Sequence, residues 1–512
     1  MAATRAARLP LGRLGVDIGG ALNLVGALLK YLSLAFLFPI ALALGYGESV
    51  WPFAAAGLLT AGFGFLLERA TRGKERIGVR EGFFVVASGW LLAAFFASLP
   101  YLFAGEDQFA GPGDAYFEAM SGFTTTGATV LTDIEGLPQS LAMWRQFTQW
   151  IGGMGIIVLA LAVLPRLRVG GRQLMESELP GPELENLTAS IRDTARRLWL
   201  LYIAFTTAEV LALAILGWTG ADPKMSLYQA VAHAFATMPT GGFSTQARSI
   251  EAFGAAAQWI IAVFMVVAGA NFGLMYRALV RRSPRALGRD EEFRLYLGLL
   301  ALGTFIVGIE LAAEGIAEGE AAARHAVFQA VSMMTTTGFA STDFNEWLAI
   351  APLTAMTLVA LMFAGGSAGS TAGSIKVARH LLIGRVLRRE LDQTVHPEAV
   401  APIRLNGLAV DERTIRAVIA FVLLYVGIFV AGAILLLVDA TRAGVDVTPF
   451  EAIAAAATTL GNVGPGFGFA GPMGSFEPFS DLSTGIMTAL MWLGRLEIVP
   501  VVVLLTRSYW RA

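Results

Sequence analysis

Met120-Ser121-Gly122-Phe123-Thr124-Thr125-Thr126-Gly127-Ala128-Thr129 is the stretch on which the fold turns, because related runs return three times, each beside long apolar segments. The second is Thr237-Met238-Pro239-Thr240-Gly241-Gly242-Phe243-Ser244, the third Met334-Thr335-Thr336-Thr337-Gly338-Phe339, and the fourth Thr459-Leu460-Gly461-Asn462-Val463-Gly464-Pro465-Gly466. Taking Gly127, Gly241, Gly338 and Gly464 as anchors, the copies lie 114, 97 and 126 residues apart (241−127, 338−241, 464−338). That is a large repeated unit with variable loops, not a solenoid module.

The surrounding chain is made for a bilayer. Of its 512 residues 55% are hydrophobic and only 15% charged, with a mean hydropathy of +0.63. An ordinary soluble protein carries more charge than this. A net charge of −2 supplies no basic field, and the basic residues cluster between apolar spans, which argues against nucleic acid as a partner. There is no cysteine, hence no disulfide, thiolate metal site or thiol nucleophile. The four histidines, His233, His325, His380 and His396, have no H-E-x-x-H spacing.

The expected fold class is an all-α polytopic membrane protein: a leading two-helix hairpin, then four cycles of spanning helix, short helix, Thr/Gly run and second spanning helix. Ten spans result. The hairpin comprises Leu22 to Tyr46 and Trp51 to Leu67, preceded by Arg5, Arg8 and Arg13, and reads as an anchor because its first apolar stretch is too long for a signal core. The paired spans are Phe83 to Phe103 with Phe147 to Leu164, Leu198 to Trp218 with Trp259 to Leu279, Leu295 to Ala313 with Leu348 to Met362, and Ile415 to Val438 with Ile486 to Leu505. Corresponding units are residues 1–80 for the hairpin, then 81–190, 191–290, 291–405 and 406–512. Lys and Arg accumulate at 69–76, 166–172, 281–289, 376–389 and 507–511, which the positive-inside tendency assigns to the cytoplasm together with both termini. Acids such as Glu106, Asp107, Asp133, Glu135, Glu318 and Asp343 collect on the opposite side, where they either draw cations or simply solvate external loops.

The short segments decide what the runs do. Asp114 to Thr125, if helical, is about 18 Å long and reaches halfway into a hydrocarbon core of about 30 Å. Non-helical backbone at that depth must be enclosed by protein or face a watery cavity. Four such loops around one axis satisfy the requirement jointly, with carbonyls turned inward and the negative ends of the helix dipoles aimed at the same place. A dehydrated cation fits there. Glycine keeps the axis clear and adopts backbone conformations closed to other residues, while threonine hydroxyls brace the loop or line the pore. One Thr-Thr-Gly alone would be a glycine-capped helix end. Four in register with the spans reverse that judgement.

On these residues the chain resembles the Trk/Ktr/HKT superfamily of potassium transporters, and within it the TrkH-type membrane subunit. The resemblance rests on Ser121-Gly122-Phe123-Thr124-Thr125-Thr126-Gly127, on Asn462-Val463-Gly464-Pro465-Gly466, and on Gln149-Trp150-Ile151-Gly152-Gly153-Met154-Gly155 after the first run. It implies four membrane-pore-membrane units around one pore, a homodimer in the cell inner membrane, and K+ as the transported ion. The implied filter comprises Thr125, Thr126, Gly127, Thr240, Gly241, Thr337, Gly338, Asn462, Val463 and Gly464, with K+ at Thr126, Gly127, Thr240, Gly241, Thr337, Gly338, Val463 and Gly464. Met238-Pro239 and Asn462-Val463 depart from the threonine pattern, so the ring lacks four-fold chemistry. Glycine in all four copies resembles the potassium-permeable members, whereas serine can replace the first in sodium-selective plant relatives.

Two features below the filter read as gates. Residues 364–376, Ala-Gly-Gly-Ser-Ala-Gly-Ser-Thr-Ala-Gly-Ser-Ile-Lys, hold too many small residues for a stiff helix, since each interior glycine costs up to about 1 kcal/mol relative to alanine and Ser/Thr compete for backbone hydrogen bonds. A phosphate loop is excluded because Lys376 is not adjacent to Gly373. A small-residue packing seam remains the competing reading. The stretch resembles the family's intramembrane gating loop, which implies gate roles for Gly365, Gly366, Gly369, Ser370, Gly373 and Lys376. Arg495, inside the last span, is expensive in a membrane unless it faces water or a partner. A pair with Glu497, two residues on, would be poor. The resemblance makes Arg495 a fixed positive charge in the pore that raises the barrier to cations. Glu209, midway along another span, has no assigned role. The resemblance further implies a separate TrkA-like nucleotide-binding ring docking near Arg379 to Arg416, so that any nucleotide cofactor would act only through that subunit. A Na+-permeable or Na+/H+-coupled transporter of the same fold is the alternative on these residues. An intramembrane enzyme would need a dyad or metal cluster that the sequence lacks, and a non-conducting scaffold would not need four glycines.

Overall fold

The structure is a computed structural model describing residues 16–71, 78–109, 111–163, 191–398 and 401–511. Arg5, Arg8, Arg13, Arg72, Lys74, Arg76, Arg166, Arg168 and Arg172 lie outside the described residues, so the orientation argument keeps only its later clusters as located positions. The described residues are mostly helical, and their only strands form one hairpin, Arg404–Leu405 paired with Leu408–Ala409, whose Asn406-Gly407 turn takes positive φ at both positions.

The leading pair of helices forms as expected. Ile18–Ser33 continues through a 3-10 turn into Leu37–Tyr46, stops at Gly47 in the left-handed conformation, and is followed by Trp51–Ala70. The two cross at Gly26 and Gly64, where a Cβ on either would press on the other's carbonyl at 2.8 or 2.7 Å. Small residues at such a crossing let helix backbones touch where the hydrophobic effect gives no drive. Phe36 stacks on Trp144 at 4.7 Å, fastening the pair to the rest of the molecule.

Four short helices follow: Pro112–Phe123, Leu227–Thr237, Gly319–Met334 and Pro449–Gly461. Their starts carry the residues that begin helices. Pro112 and Pro449 sit in first turns, Ser226 caps the second by accepting from Gln229 N, and Thr448 and Glu451 form a capping box on the fourth. Their C-terminal halves are buried, apart from the half-buried Phe235 and Val327.

Among the described residues six helices are long and apolar enough to cross a membrane, or seven if one bent pair counts as a span, against ten expected. The shortfall lies in the helices that leave the Thr/Gly runs. Trp259 to Leu279 was expected to be continuous, but Ala255–Ala268 and Phe272–Leu279 meet at 105°. The break is built from Gly269 and from Asn271, which caps the second piece by accepting from Leu274 N. Ile486 to Leu505 is likewise divided into Asp481–Arg495 and Val499–Leu504, with Glu497 and Ile498 both at positive φ between them. The third exit helix, Pro352–Ala364, ends at the Gly/Ser stretch as expected, and Val377–Val395 resumes beyond it.

Candidate functional site

The four Thr/Gly runs meet at one place. In each, the residue that ends the short helix makes the same pair of bonds: Thr125, Thr240, Thr336 and Asn462 donate N–H to the carbonyl three residues back, and the next residue in each run donates to the carbonyl five residues back. Thr125, Thr240, Thr336 and Asn462 all have φ between 50° and 58°. The residues that follow are Thr126, Gly241, Thr337 and Val463, and after them come Gly127, Gly242, Gly338 and Gly464, with φ of 85°, 78°, 82° and 115°.

This register corrects one expected anchor. Gly241 occupies the place of Thr126, and Gly242 is the true counterpart of Gly127. Thr336, omitted from the expected set, is the counterpart of Thr125. The signal was present in the shared pairs Gly242-Phe243 and Gly338-Phe339; aligning the second copy with the third on Gly-Phe, and not on the first glycine after threonine, gives the observed register of the second loop.

The anchors close a ring. A Cβ on Gly127 would overlap the carbonyl oxygen of Gly241, one on Gly242 that of Thr337, one on Gly338 that of Val463, and one on Gly464 would lie 2.7 Å from that of Thr126. Each loop thus rests on the next in sequence order, and the fourth rests on the first. Positive φ and the absence of a side chain are both required here. Gly127, Gly242, Gly338, Gly464, Phe243 and Ser244 are among the residues lining a cavity on the ring, together with Ile134, Gln246 and Pro472 from the segments that leave the runs.

The loops share a backbone and differ in side chains. Thr124 and Thr126 hydroxyls bond to each other at 2.8 Å, as do Thr335 and Thr337. The second and fourth loops have Pro239 and Gly461 in the first of these places. Asn462 compensates by reaching across to the first loop, donating Nδ2–H to Thr126 Oγ1 at 3.0 Å and to Met491 O at 2.9 Å. Gln149, in the motif after the first run, donates to Gly241 O at 2.6 Å and accepts from Phe243 N at 3.2 Å, clasping the second loop from behind. In the same motif Gly152 leaves room for Phe123 O and Gly153 for Pro239.

The Gly/Ser stretch packs directly on this ring. Gly365 and Gly369 take positive φ, and Val377 N–H returns to Gly366 O at 3.0 Å, folding residues 366–377 into a compact loop. Gly373 N–H donates to Thr336 Oγ1 at 2.8 Å, Thr371 Oγ1 donates to Met238 O at 3.0 Å, and a Cβ on Gly373 would overlap Gly461 O. The loop therefore touches the helix ends of the second, third and fourth runs. Its seat is the bend at Gly269, whose carbonyl accepts from Ser367 N at 2.8 Å, while Glu292 Oε1 accepts from Ala368 N at 2.5 Å and Ser370 Oγ bonds within the loop.

Arg495 is buried, as its depth demands, and points into the assembly. Its Nη1 donates to Thr371 O at 2.8 Å and its Nη2 lies 3.5 Å from Gly152 O, so one guanidinium spans the Gly/Ser loop and the helix behind the first run. Glu497 is not its partner. That carboxylate sits between Lys376 at 3.3 Å and Arg379 at 2.6 Å. Glu209 is fully buried, with neither carboxylate oxygen in a hydrogen bond of good geometry.

Comparison with known proteins gives matches along nearly the whole chain. Residues 52–511 match the TrkH family, described as cation transport protein. The chain is 39% identical over 443 residues to the Trk system potassium uptake protein TrkH of Salmonella typhimurium, covering 86% of this chain and 88% of that one. It is 37% identical over 495 residues to the protein of the same name from Halomonas elongata, covering 96% and 98%. The crystal structure of the potassium transporter TrkH from Vibrio parahaemolyticus superposes with a TM-score of 0.86 at 33% identity, covering 97% of this chain and all of that one.

Proposed function

The chain belongs to the TrkH family of cation transport proteins, and from that premise we propose that it takes up K+ across the cell inner membrane through a filter of four re-entrant loops. The four units are residues 81–190, 191–290, 291–405 and 406–512, arranged around one pore with the hairpin of residues 1–80 beside it and both termini in the cytoplasm. The closed ring of anchor glycines and neighbouring carbonyls carries this reading.

K+ enters from the cavity on the ring and exchanges its water for backbone oxygens of Thr126, Gly127, Gly241, Gly242, Thr337, Gly338, Val463 and Gly464. The short helices end at the ring, so their dipoles lower the energy of a cation there. A membrane potential supplies about 2.3 kcal/mol per charge per 100 mV, enough to drive entry without nucleotide hydrolysis in this chain. The Gly/Ser loop obstructs the way out of the filter, and Arg495 holds it there while adding a positive charge to the path. Two copies form a homodimer, and a separate TrkA-like nucleotide-binding ring docks on the basic surface between Arg379 and Arg416 to move the loop.

Purified protein in liposomes, assayed in parallel for K+, Rb+, Na+ and Li+ flux, tests the proposal. Flux of K+ and Rb+ well above Na+ and Li+ is expected. Equal flux of all four, or none, would refute it.

A further inference from the structure

Counting back nine residues from each anchor glycine reaches Glu118 (127−9), His233 (242−9), Gln329 (338−9) and Ala455 (464−9). Three of these four side chains tie their short helix to the strand that leaves the same loop. Glu118 accepts from Thr129 Oγ1 at 3.0 Å and from Val130 N at 3.1 Å, His233 bonds to Ser244 Oγ at 2.9 Å, and Gln329 Nε2 lies 3.5 Å from Ser341 Oγ and 3.4 Å from Thr342 O. Ala455 has only a methyl group. At this position the brace weakens from a carboxylate to an imidazole, a stretched amide and nothing, with His325 in the third short helix adding a bond to Ser341 Oγ at 2.9 Å.

The first brace is also charged, and it reaches its neighbour. Arg145, from the helix Gln139–Val163, donates from Nε to Glu118 Oε1 at 2.7 Å, and both side chains are wholly buried. Its Nη2 lies 3.3 Å from Thr129 Oγ1, its Nη1 donates to Ser244 O in the second loop at 3.2 Å, and its guanidinium lies 4.2 Å from the centre of the Phe243 ring. The carbonyl oxygen of Thr129 in turn accepts from Phe476 N at 2.8 Å, beyond the fourth loop. One chain of bonds thus runs from His233 through Ser244, Arg145 and Glu118 to Thr129 and on to Phe476, behind the outer ends of three loops. The hydrogen bonds of Glu118 and Arg145 go to these partners and not to the ring carbonyls, although Arg145 also lines the cavity that the four ring glycines share.

We propose that Glu118 and Arg145 are positioning residues that set cation selectivity from behind the filter, by fixing the spacing of the first loop against the second. This rests on the reading of the ring as a K+ filter. Hydrogen bonds with ionised partners are short and directional, and in a dry interior they resist displacement more than neutral ones. A ring that must favour the larger ion over the smaller needs its oxygens kept apart. The pair supplies that stiffness where the two loops adjoin, and its loss lets the ring contract around Na+.

Rb+ and Na+ flux in liposomes tests the proposal on wild type, on Glu118→Gln/Arg145→Gln, which removes both charges together, and on Thr129→Ala, which keeps both charges and deletes the hydroxyl they share. The doubly neutral chain is expected to lose roughly tenfold in Rb+/Na+ ratio, a change of about 1.4 kcal/mol, and Thr129→Ala a smaller part of it, with Rb+ flux itself retained. A wild-type ratio in a folded double variant overturns the proposal. Should the double variant fail to fold, a wild-type ratio in Thr129→Ala overturns it equally, and a lowered one upholds it. Wild-type protein that carries no Rb+ refutes the filter reading instead, which keeps the two failures distinct.

Discussion

The ring of loops and the Gly/Ser loop beneath it touch, yet they are held in opposite ways. The ring is backbone against backbone, four times over, with the same two helix-end bonds and the same positive-φ glycine in every quadrant. The Gly/Ser loop occurs once and is held by side chains from scattered elements, Arg495 from the last helix, Glu292 from the third unit and Thr336 from the ring, together with backbone bonds to the one bend, among them Ser367 N–H to Gly269 O and Phe272 N–H to Gly369 O. A structure with four mutually wedged parts has little freedom to move. A loop held by isolated contacts has alternative positions available once a few are released, which is what a gate requires of it.

Breaking the ring has the largest expected effect. Gly242→Ala places a methyl group on Thr337 O in a backbone conformation that costs L-residues about 1–2 kcal/mol, and it is expected to abolish selective K+ flux. Gly241→Ala first meets the end of the Gln149 side chain and no ring carbonyl among its nearest neighbours, and it is expected to retain measurable selectivity. A reversed order in liposome flux would restore Gly241 as the anchor. Releasing the Gly/Ser loop comes next. Arg495→Ala removes the donor to Thr371 O and a buried positive charge, and basal K+ flux without a regulator is expected to rise at least several-fold; unchanged or lower flux would count against a barrier role. Thr336→Val is the finest probe. It keeps the shape and deletes the acceptor for Gly373 N–H, a bond worth about 0.5–1.5 kcal/mol, so basal leak should rise between about two- and tenfold with the Rb+/Na+ ratio preserved. A change in the ratio without a change in leak would mean that Thr336 serves the filter alone.

The same contrast explains what could be read from the residues. The ring was legible because repetition turns a weak local pattern into a strong one, and because short segments beside Thr/Gly runs have few physical outcomes in a membrane. The Gly/Ser loop was legible by composition alone. Its seat was not. Gly269 and Asn271 interrupt a helix by a bend that a hydropathy pattern passes over, since Ala255–Ala268 and Phe272–Leu279 are both apolar enough to look like one span. The Glu118–Arg145 pair was equally hidden, because one residue lies in a short helix and the other in a long one. Only the count of nine from the corrected anchors brings Glu118, His233 and Gln329 into line. Arg495 was found because an arginine at that depth must have partners, though the identity of those partners, Thr371 O and Gly152 O, required the fold.

The last contact of the ring joins the first loop to the fourth, since Asn462 meets Thr126 across 336 residues of sequence. During synthesis the first loop is therefore made long before its neighbour on that side exists. At about 5–20 residues per second the interval is roughly 20–70 s. Throughout it the open flank of Thr126 faces whatever the membrane offers, and a ribosome that stalls before the fourth unit leaves behind three quadrants with an unsealed edge.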